Sequence, residues 1–325
     1  MDSKYNFKSK GHAFALTVKL SKGEGAMESI QSKLAKFTLR IIKFNKIWNL
    51  TGEELQENIR KRQLSENPKP PKIIEKRFNI VKNEFNGHCY YVMKPLGKTS
   101  EKHILYLHGG GYVYEINNIH WNFLAKLSRA LSCTITIPIY PLLPNHEGKE
   151  IFNMIVPIYE KIISEVKPED IVIMGDSAGG GMSLALAELL RKKQLPQPSN
   201  IILISPALDM SFTNTQIYKV SKLDPMLALP SLIEIGKFYG GKKGPKHYLI
   251  SPIYGDFNGL GKISLFTGTN DILYPDAKKF KNIAEEKVIK IDYYEYPLMI
   301  HIWPLLMFPE SKKARKQIIE IIRTS

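Results

Sequence analysis

Residues 171–181 read Ile171-Val172-Ile173-Met174-Gly175-Asp176-Ser177-Ala178-Gly179-Gly180-Gly181 and predict the centre of the fold. A short β-branched run leads into the pattern Gly-x-Ser-x-Gly, and residues 182–193 have helix-forming composition with a basic end. This order predicts a buried strand, a sharp turn and a helix, with Ser177 exposed at the turn. Gly175 and Gly179 fit because such a turn leaves no room for side chains beside the serine. Ser177 is therefore the candidate nucleophile.

An alternative interpretation of the same stretch is a glycine-rich turn that binds phosphate through its backbone amides. Phosphate loops of the common kind carry a lysine directly after their second conserved glycine. No such lysine follows this turn. We therefore favour the nucleophile turn over the phosphate loop.

A second glycine-rich stretch follows the apolar run at residues 104–107 and reads His108-Gly109-Gly110-Gly111. Attack of a serine on an ester carbonyl puts negative charge on the carbonyl oxygen, which is stabilised best by backbone N–H groups that already point at it. Glycines let the backbone come that close. We therefore predict an oxyanion hole whose donors are the N–H groups of Gly109, Gly110, Gly111 and Ala178.

These two motifs, with Tyr112 after the first, resemble those of the hormone-sensitive-lipase-like branch of the α/β-hydrolases. Later segments are similar to further segments of that branch: Tyr140-Pro141-Leu142-Leu143-Pro144-Asn145-His146, Ser205-Pro206-Ala207-Leu208-Asp209 and Ser251-Pro252-Ile253-Tyr254-Gly255-Asp256. The resemblance covers residues 75–325, approximately. It implies an α/β-hydrolase fold with a mostly parallel central sheet, flanking helices and a helical cap. It also implies hydrolysis of short- to medium-chain carboxylic esters.

The acid and the histidine of a serine hydrolase of this fold must follow the serine in that order. Residues 263–268 are predicted to form a strand, and Asp271 lies just past its end, where such folds hold their catalytic side chains. The same position matches the acid of the family that the motifs resemble. Asp276 and Asp292 are the rival acids, but the first sits where a helix should begin and the second opens the next strand.

His301 is the candidate base because it follows the last predicted strand, at residues 292–296, and comes after Asp271. Most of the other histidines precede the serine, against the expected order, and His247 lies in an insert rich in lysine and glycine. The family's loop usually has a glycine after this histidine. Here Ile302 takes that place, a difference that bears on how the loop presents the imidazole.

Length and composition agree with this class of protein. The chain has 325 residues, of which 43% are hydrophobic and 24% charged, as is ordinary for one sizeable α/β core with a smaller accessory part. Short apolar runs alternate with helical patterns, which indicates parallel strands joined by crossover helices. Residues 78–81 and 89–92 are predicted to form an antiparallel hairpin at one edge of the sheet.

The cysteines and the hydropathy predict a location. Cys89 and Cys133 lie in strand-like segments of different elements and are predicted to be buried free thiols, which suits a reducing compartment. The first twenty residues lack the apolar core and cleavage pattern of a secretion signal, and no apolar run approaches the length of a membrane span. We expect a cytoplasmic protein that uses neither a cofactor nor a metal.

Residues 1–72 are predicted to form an N-terminal helical cap segment and linker, in front of a catalytic domain at residues 73–325. Thr51-Gly52-Glu53-Glu54 resembles a capping box that opens a second helix, and the proline-rich residues 67–71 predict a stiff linker. In the first helix the apolar residues fall at alternating spacings of three and four, which makes one stripe. The stripe consists of Met27, Ile30, Leu34, Phe37, Ile41, Phe44 and Trp48.

Two interpretations of this helix remain open. In the favoured one, the stripe packs over the sheet as part of a lid above Ser177. In the other, the helix lies on an anionic membrane, because lysines and an arginine lie off the stripe and +10 of the net charge of +15 falls within residues 1–95. Nucleic acid is a weaker candidate partner, because no recognised binding motif accompanies the charge.

A second insert, at about residues 210–246, interrupts the alternation of strands and helices and is expected to complete the lid. Within it, Asp224-Pro225-Met226-Leu227 resembles a segment of the same family. The sequence thus predicts a serine carboxylesterase acting on a small-molecule ester. The alternatives are a binding protein on a hydrolase scaffold, a membrane-surface lipase or deacylase, and amide, lactone or acyl-transfer chemistry by the same triad. The oligomeric state, a homodimer included, is left open.

Overall fold

The computed structural model of the protein describes residues 28–325. In these residues an eight-stranded sheet has the order β1-β2-β4-β3-β5-β6-β7-β8. The strands are β1 (Phe78–Phe85), β2 (His88–Pro95), β3 (His103–Leu107), β4 (Thr134–Pro138), β5 (Ile171–Asp176), β6 (Asn200–Ile204), β7 (Lys262–Gly268) and β8 (Ile291–Tyr296). β1 and β2 form the antiparallel edge hairpin, β2 pairs antiparallel with β4, and all the other neighbours are parallel. The predicted α/β-hydrolase architecture is confirmed.

Helices flank this sheet on both faces. In the described part of the chain the α-helices are α1 (Ile30–Ile41), α2 (Gly52–Ser65), α3 (Lys72–Glu75), α4 (Asn118–Leu131), α5 (Gly148–Glu165), α6 (Ala178–Lys192), α7 (Ile217–Val220), α8 (Leu229–Gly240), α9 (Tyr274–Glu286) and α10 (Pro309–Arg323). A 3-10 helix at Phe44–Asn49 lies between α1 and α2.

The central strands carry the core. β3, β5 and β6 are buried at every position, as expected of parallel strands covered by helices on both faces. Because these strands are parallel, their carboxyl ends meet at one edge of the sheet. The turns that follow β3, β5, β7 and β8 therefore come together there, and they contain the two glycine motifs, Asp271 and His301.

The N-terminal helix differs from its prediction in length. α1 ends at Ile41, and Lys43 takes a left-handed conformation with φ of 49° before the 3-10 helix begins. The predicted stripe therefore does not lie on one continuous helix, and its first member, Met27, lies outside the described residues. The capping box at Thr51 is also wrong. The Thr51 side chain accepts no capping bond, although α2 begins directly after it.

The orientation of α1 also differs from the favoured prediction, because its apolar stripe faces outward. Ile30, Leu34, Phe37 and Ile41 are all more than half exposed, whereas Ser32 and Lys36 are the buried residues of the helix. The favoured interpretation, in which the stripe packs over the sheet, is therefore wrong for these four residues. Trp48, the last member of the stripe, is buried.

The N-terminal segment and the insert between β6 and β7 contact each other above the carboxyl edge of the sheet. The Gly52 N–H donates to the Glu234 carboxylate at 2.7 Å, and the Ser231 hydroxyl donates to the Leu50 carbonyl at 2.7 Å. Asn45 reaches the Asp224 carbonyl from the same side, at 3.5 Å. Two segments far apart in sequence thus lie together over the site.

Two smaller predictions concern cysteines and membrane spans. Cys133 is buried and Cys89 partly exposed, and both are free thiols. Within residues 28–325, no helix has the length and apolar character needed to cross a membrane.

Candidate active site

Ser177 occupies a strained turn between β5 and α6. Its φ of 52° and ψ of −120° lie outside the regions that residues with side chains ordinarily adopt. The two flanking glycines permit this turn. A Cβ on Gly175 would lie 2.2 Å from the Gly179 carbonyl oxygen, and one on Gly179 would lie 1.9 Å from the carbonyl oxygen of Leu107. The backbone itself therefore fills the space on both sides of the serine.

Ser177, His301 and Asp271 form a continuous chain of contacts. His301 Nε2 lies 2.9 Å from Ser177 Oγ, and His301 Nδ1 lies 2.9 Å from Asp271 Oδ2. A carboxylate can only accept a hydrogen bond, so Nδ1 carries the proton and Nε2 is left as an acceptor for the serine hydroxyl. Both Asp271 and His301 are buried. The arrangement suits proton transfer from the serine to the imidazole.

The charges around His301 favour its protonated form. Burial alone would lower the pKa of His301, but the carboxylates of Asp271, Asp224 and Asp176 raise it above the ordinary value of 6.5. An imidazole with a raised pKa is a stronger base. The surroundings therefore stabilise the imidazolium that forms when the histidine takes a proton.

The two rival acids lie elsewhere. Asp276 is in the first turn of α9, where it accepts a hydrogen bond from Asn214, and Asp292 pairs with Lys262 at 2.9 Å. Asp271 is held in place by its own loop, because its Oδ1 accepts the N–H of Leu273 at 2.9 Å.

Asp224, which the sequence analysis did not single out as a site residue, supports the acid loop from the insert. Its Oδ2 accepts the N–H of Ile272 at 2.8 Å, and its Oδ1 accepts the N–H groups of Met226 and Leu227 at 2.7 and 3.1 Å. Burial, followed by the nearby charge of Asp271, raises the pKa of Asp224 to about 6. The only sequence signal was its place at the head of the segment Asp224-Pro225-Met226-Leu227.

The glycine loop after β3 lies beside the serine turn, but one of its predicted donors is already engaged. The Gly109 N–H donates to the Asp176 carboxylate at 3.0 Å, so it does not point at an oxyanion, and the expectation for this amide is corrected. Within residues 28–325, the N–H groups of Gly110, Gly111 and Ala178 donate to no protein acceptor. These three amides are the donors left available.

Asp176, the residue before the serine, fixes the glycine loop to the strand. Its buried carboxylate accepts hydrogen bonds from the Tyr106 hydroxyl at 2.5 Å and from the Gly109 N–H, and lies 3.3 Å from His120 Nε2. Burial would raise the pKa of Asp176, but His120, Tyr106 and Gly109 hold it below its usual value. A charged and fully bonded carboxylate thus sits beneath the site.

The imidazole of His108 braces the other side of the loop. It stacks on Tyr140 with ring centroids 4.2 Å apart, and its Nδ1 lies 2.7 Å from the Gly109 carbonyl oxygen. The Tyr140 hydroxyl also donates to the His108 carbonyl at 2.7 Å. Burial lowers the pKa of His108 to about 3, so this imidazole is neutral.

Ile302 occupies the position after the candidate base with a left-handed backbone, at φ of 46° and ψ of 29°. A β-branched residue rarely adopts this conformation, which a glycine would adopt without strain. The Ile302 N–H donates to the Ser205 hydroxyl at 3.0 Å, which holds the loop. The loop therefore keeps the geometry suited to glycine despite the substitution.

A cavity of about 130 Å³ opens onto Ser177 and His301. One wall is apolar and combines the 3-10 helix with the insert through Phe44, Ile47, Trp48, Met226 and Leu227. The lining also includes polar residues, namely Arg62, Glu66, Glu115, Asn117 and His120. A larger cleft of about 320 Å³ lies at the other edge of the sheet, around His103 and Thr134, and contains neither Ser177 nor His301.

The site has no arrangement suited to a metal ion. Among the residues that the structure describes, no group of three or more His, Cys, Asp and Glu side chains is placed to hold one. Two of the acidic groups of the site are engaged by protein groups, Asp271 by His301 and Asp176 by Tyr106.

Comparison with known proteins agrees with this geometry. Residues 104–305 match the family model of the α/β-hydrolase fold. An esterase of Acinetobacter venetianus is 32% identical over 232 residues, which are 67% of this chain and 73% of the esterase. The crystal structure of EstE5 soaked with p-nitrophenyl butyrate has a TM-score of 0.80 at 27% identity and covers 91% of this chain and 99% of its own. The crystal structure of an esterase from the bacterial hormone-sensitive lipase family has a TM-score of 0.76 at 25% identity. The match covers 92% of this chain and 99% of that esterase.

The chain therefore belongs to the α/β-hydrolase fold family, in its hormone-sensitive-lipase-like branch. Within that branch it is a carboxylesterase- or lipase-type hydrolase.

Proposed function

We propose that the protein hydrolyses carboxylic esters through a Ser177-His301-Asp271 triad and a covalent acyl-enzyme. The observation that carries the proposal is the unbroken contact from Asp271 through His301 to the hydroxyl of a strained, partly exposed serine. Nε2 of His301 takes the hydroxyl proton as Oγ attacks the carbonyl carbon, and the imidazolium returns that proton to the departing alcohol. Water then attacks the acyl-enzyme with the same base, which releases the acid and restores the serine.

The oxyanion of each tetrahedral intermediate is held by backbone amides. Gly110, Gly111 and Ala178 are the donors we assign, because their N–H groups are otherwise unused and lie beside Ser177. Loss of one such donor typically costs about 2.7–4 kcal/mol of transition-state stabilisation. Asp176 and His108 act indirectly, because they fix the loop that carries these amides.

The size of the cavity supports short- to medium-chain acyl groups. A volume of about 130 Å³ is close to the ~150 Å³ engineered cavity that holds one benzene molecule. A chain of a few carbons fits such a space against the apolar wall. EstE5, one of the structural neighbours, was soaked with p-nitrophenyl butyrate, an ester of that length.

The segments above the cavity are assigned to a lid. Trp48 from the N-terminal segment and Met226 and Leu227 from the insert form the apolar wall, and the contacts of Gly52 with Glu234 and of Ser231 with Leu50 join the two segments. Of the predicted cap segment at residues 1–72, we assign the described part, residues 28–72, to the lid together with about residues 210–246, and the rest of residues 73–325 to the catalytic domain.

The test is hydrolysis of p-nitrophenyl esters from acetyl to palmitoyl, with Ser177→Ala measured beside the parent protein. Turnover should peak at short to medium chains and fall by at least about 10³-fold in Ser177→Ala. Ser164→Ala, an exposed serine on α5, is the matched control and should keep full activity. Absence of turnover at every length, with folded protein, would favour the binding-scaffold alternative, and labelling of Ser177 by a fluorophosphonate without turnover would favour another acyl substrate.

A further inference from the structure

The apolar stripe of α1 is a solvent-exposed surface with a fixed direction. Its exposed fractions run from 40% at Phe44 to 80% at Ile30, with Leu34, Phe37 and Ile41 between them. The four residues of α1 follow one another along a single side of that helix, and Phe44 opens the 3-10 helix that comes next. Water-exposed apolar stripes of this kind mark binding surfaces when they are contiguous.

The outward direction is enforced by the polar contacts on the other side of α1. Lys36 is buried, pairs with Glu28 at 2.7 Å and donates to the Leu298 carbonyl at 3.2 Å. At the start of the helix, the Ser29 N–H and hydroxyl both donate to the Glu310 carboxylate, at 2.7 and 2.8 Å. A helix rotated to bury its stripe would break this buried ion pair, which costs several kcal/mol when one partner is left unpaired.

Positive charge flanks the stripe, and the segment that carries it has no acidic residue of its own. Lys33, Arg40, Lys43 and Lys46 are all exposed, while residues 29–50 contain no aspartate or glutamate. Glu28, the nearest acidic residue in the sequence, forms an ion pair with Lys36, and its side chain is only 5% exposed. An apolar stripe bordered by cations is the composition of helices that lie in the headgroup region of anionic membranes.

We propose that this stripe, Ile30, Leu34, Phe37, Ile41 and Phe44, docks the protein on an anionic lipid bilayer. Charge decides against two other occupants. A second copy would bring the same cations face to face, and residues 1–27 of this chain carry five lysines against Asp2 and Glu24. Both would meet like charge, which costs free energy wherever the groups are desolvated, whereas an anionic surface gains about 1 kcal/mol for each nearby lysine or arginine.

The docked orientation places the mouth of the cavity beside the bilayer. Phe44 belongs both to the stripe and to the lining of the cavity. Two more exposed leucines adjoin α1: Leu298, whose carbonyl accepts from Lys36, and Leu223, whose carbonyl accepts from Arg40 at 3.3 Å. An ester dissolved in the leaflet that the protein contacts would then reach Ser177 with little exposure to water. This last step, unlike the docking itself, rests on the proposed esterase function.

The docking is tested by co-sedimentation of the full chain with vesicles of phosphatidylcholine alone or mixed with phosphatidylglycerol. Ser177→Ala is used throughout, so that binding is measured without turnover and independently of the proposed function. We expect binding to the mixed vesicles only, and a loss of at least about ten-fold in the partition coefficient for Leu34→Ser/Phe37→Ser. The matched control is Leu96→Ser. Leu96 is about as exposed as Leu34 but follows β2 at the opposite edge of the sheet, so this change should leave binding intact.

The charge contribution is tested separately. Lys33→Gln/Lys43→Gln should weaken binding by about five-fold for each lysine, and added salt should weaken binding of the parent protein. Lys98→Gln, an exposed lysine near Leu96, is the control. Failure to bind the mixed vesicles, or binding that Leu34→Ser/Phe37→Ser leaves unchanged while circular dichroism shows a native fold, overturns the proposal. So does a dimer in sedimentation velocity that this double variant dissociates.

Discussion

The carboxylate of Asp224 accepts the backbone N–H of Ile272 at 2.8 Å, and Ile272 directly follows the proposed catalytic acid, Asp271. The insert above the sheet is thereby tied to the loop that holds the proposed acid. The same buried carboxylate is one of the charges that raise the pKa of His301. A residue that touches no reacting atom therefore both orients the acid loop and tunes the base.

We predict that kcat/KM falls as the pH drops, with a midpoint above 6.5. His301 must be neutral to accept the serine proton, so protonation of the imidazole removes activity, and the surrounding carboxylates raise its pKa above 6.5. The measurement is a pH–rate profile on p-nitrophenyl acetate with the chemical step rate-limiting. A profile that stays flat from about pH 5 to 8 would rule out His301 as the base.

Asp224→Asn should move that midpoint to lower pH. Removing the negative charge takes away one of the contributions that favour the imidazolium, and the amide still accepts one of the N–H groups that the carboxylate binds. The comparison is with Asp292→Asn, which removes a carboxylate paired with Lys262 and should leave the midpoint unchanged. Equal midpoints in Asp224→Asn and the parent protein would show that Asp224 serves the loop's structure alone.

Gly179→Ala should destabilise the fold by about 3 kcal/mol or more, at the upper end of the cost of overpacking. The added methyl would lie 1.9 Å from the Leu107 carbonyl oxygen, so the start of α6 and the end of β3 must move apart to admit it. Denaturant unfolding provides the free energy. Gly52→Ala is the control, since Gly52 has φ of 57° but no atom within 4 Å of the added methyl, and about 1 kcal/mol is expected.

Trp48→Leu should shift ester preference toward longer acyl chains. The indole is buried in the apolar wall and lies against Gly111, so a smaller side chain enlarges the cavity at the cost of about 2–3 kcal/mol of stability. The acyl-length profile and the melting temperature measure the two effects. Trp121→Leu is the matched change at a buried indole that packs on Tyr91 and does not line the cavity. It should lower the melting temperature without altering the profile.

The serine turn could be predicted because its requirements are local. Gly175 and Gly179 are needed wherever a strand, a turn and a helix come this close. The five-residue pattern is therefore enough to predict the geometry of the turn. The order of the later strands then placed Asp271 and His301 at the correct edge of the sheet. For the same reason the antiparallel hairpin at β1 and β2 could be read from two short apolar runs.

The direction of α1 could not be predicted in the same way. A period of three and four residues shows that a helix has an apolar side, but which side meets the protein depends on partners distant in sequence. Here Lys36 donates a hydrogen bond to Leu298 and Ser29 donates one to Glu310. These contacts fix the rotation of α1 about its own axis. The Gly109 amide and the Asp224 carboxylate escaped prediction for a similar reason, since each role depends on a single tertiary hydrogen bond.

The contacts between the N-terminal segment and the insert can form only late in biosynthesis. Gly52 and its partner Glu234 are separated by 182 residues, so the ribosome makes the N-terminal part of the proposed lid long before the insert exists. Trp48 lines the cavity together with Met226 and Leu227, so it lacks these neighbours until the insert has been synthesised, and β7 and β8 complete the sheet later still. Assembly of the site is therefore a late event in the life of the nascent chain, and the early helices are the part that chaperones would meet first.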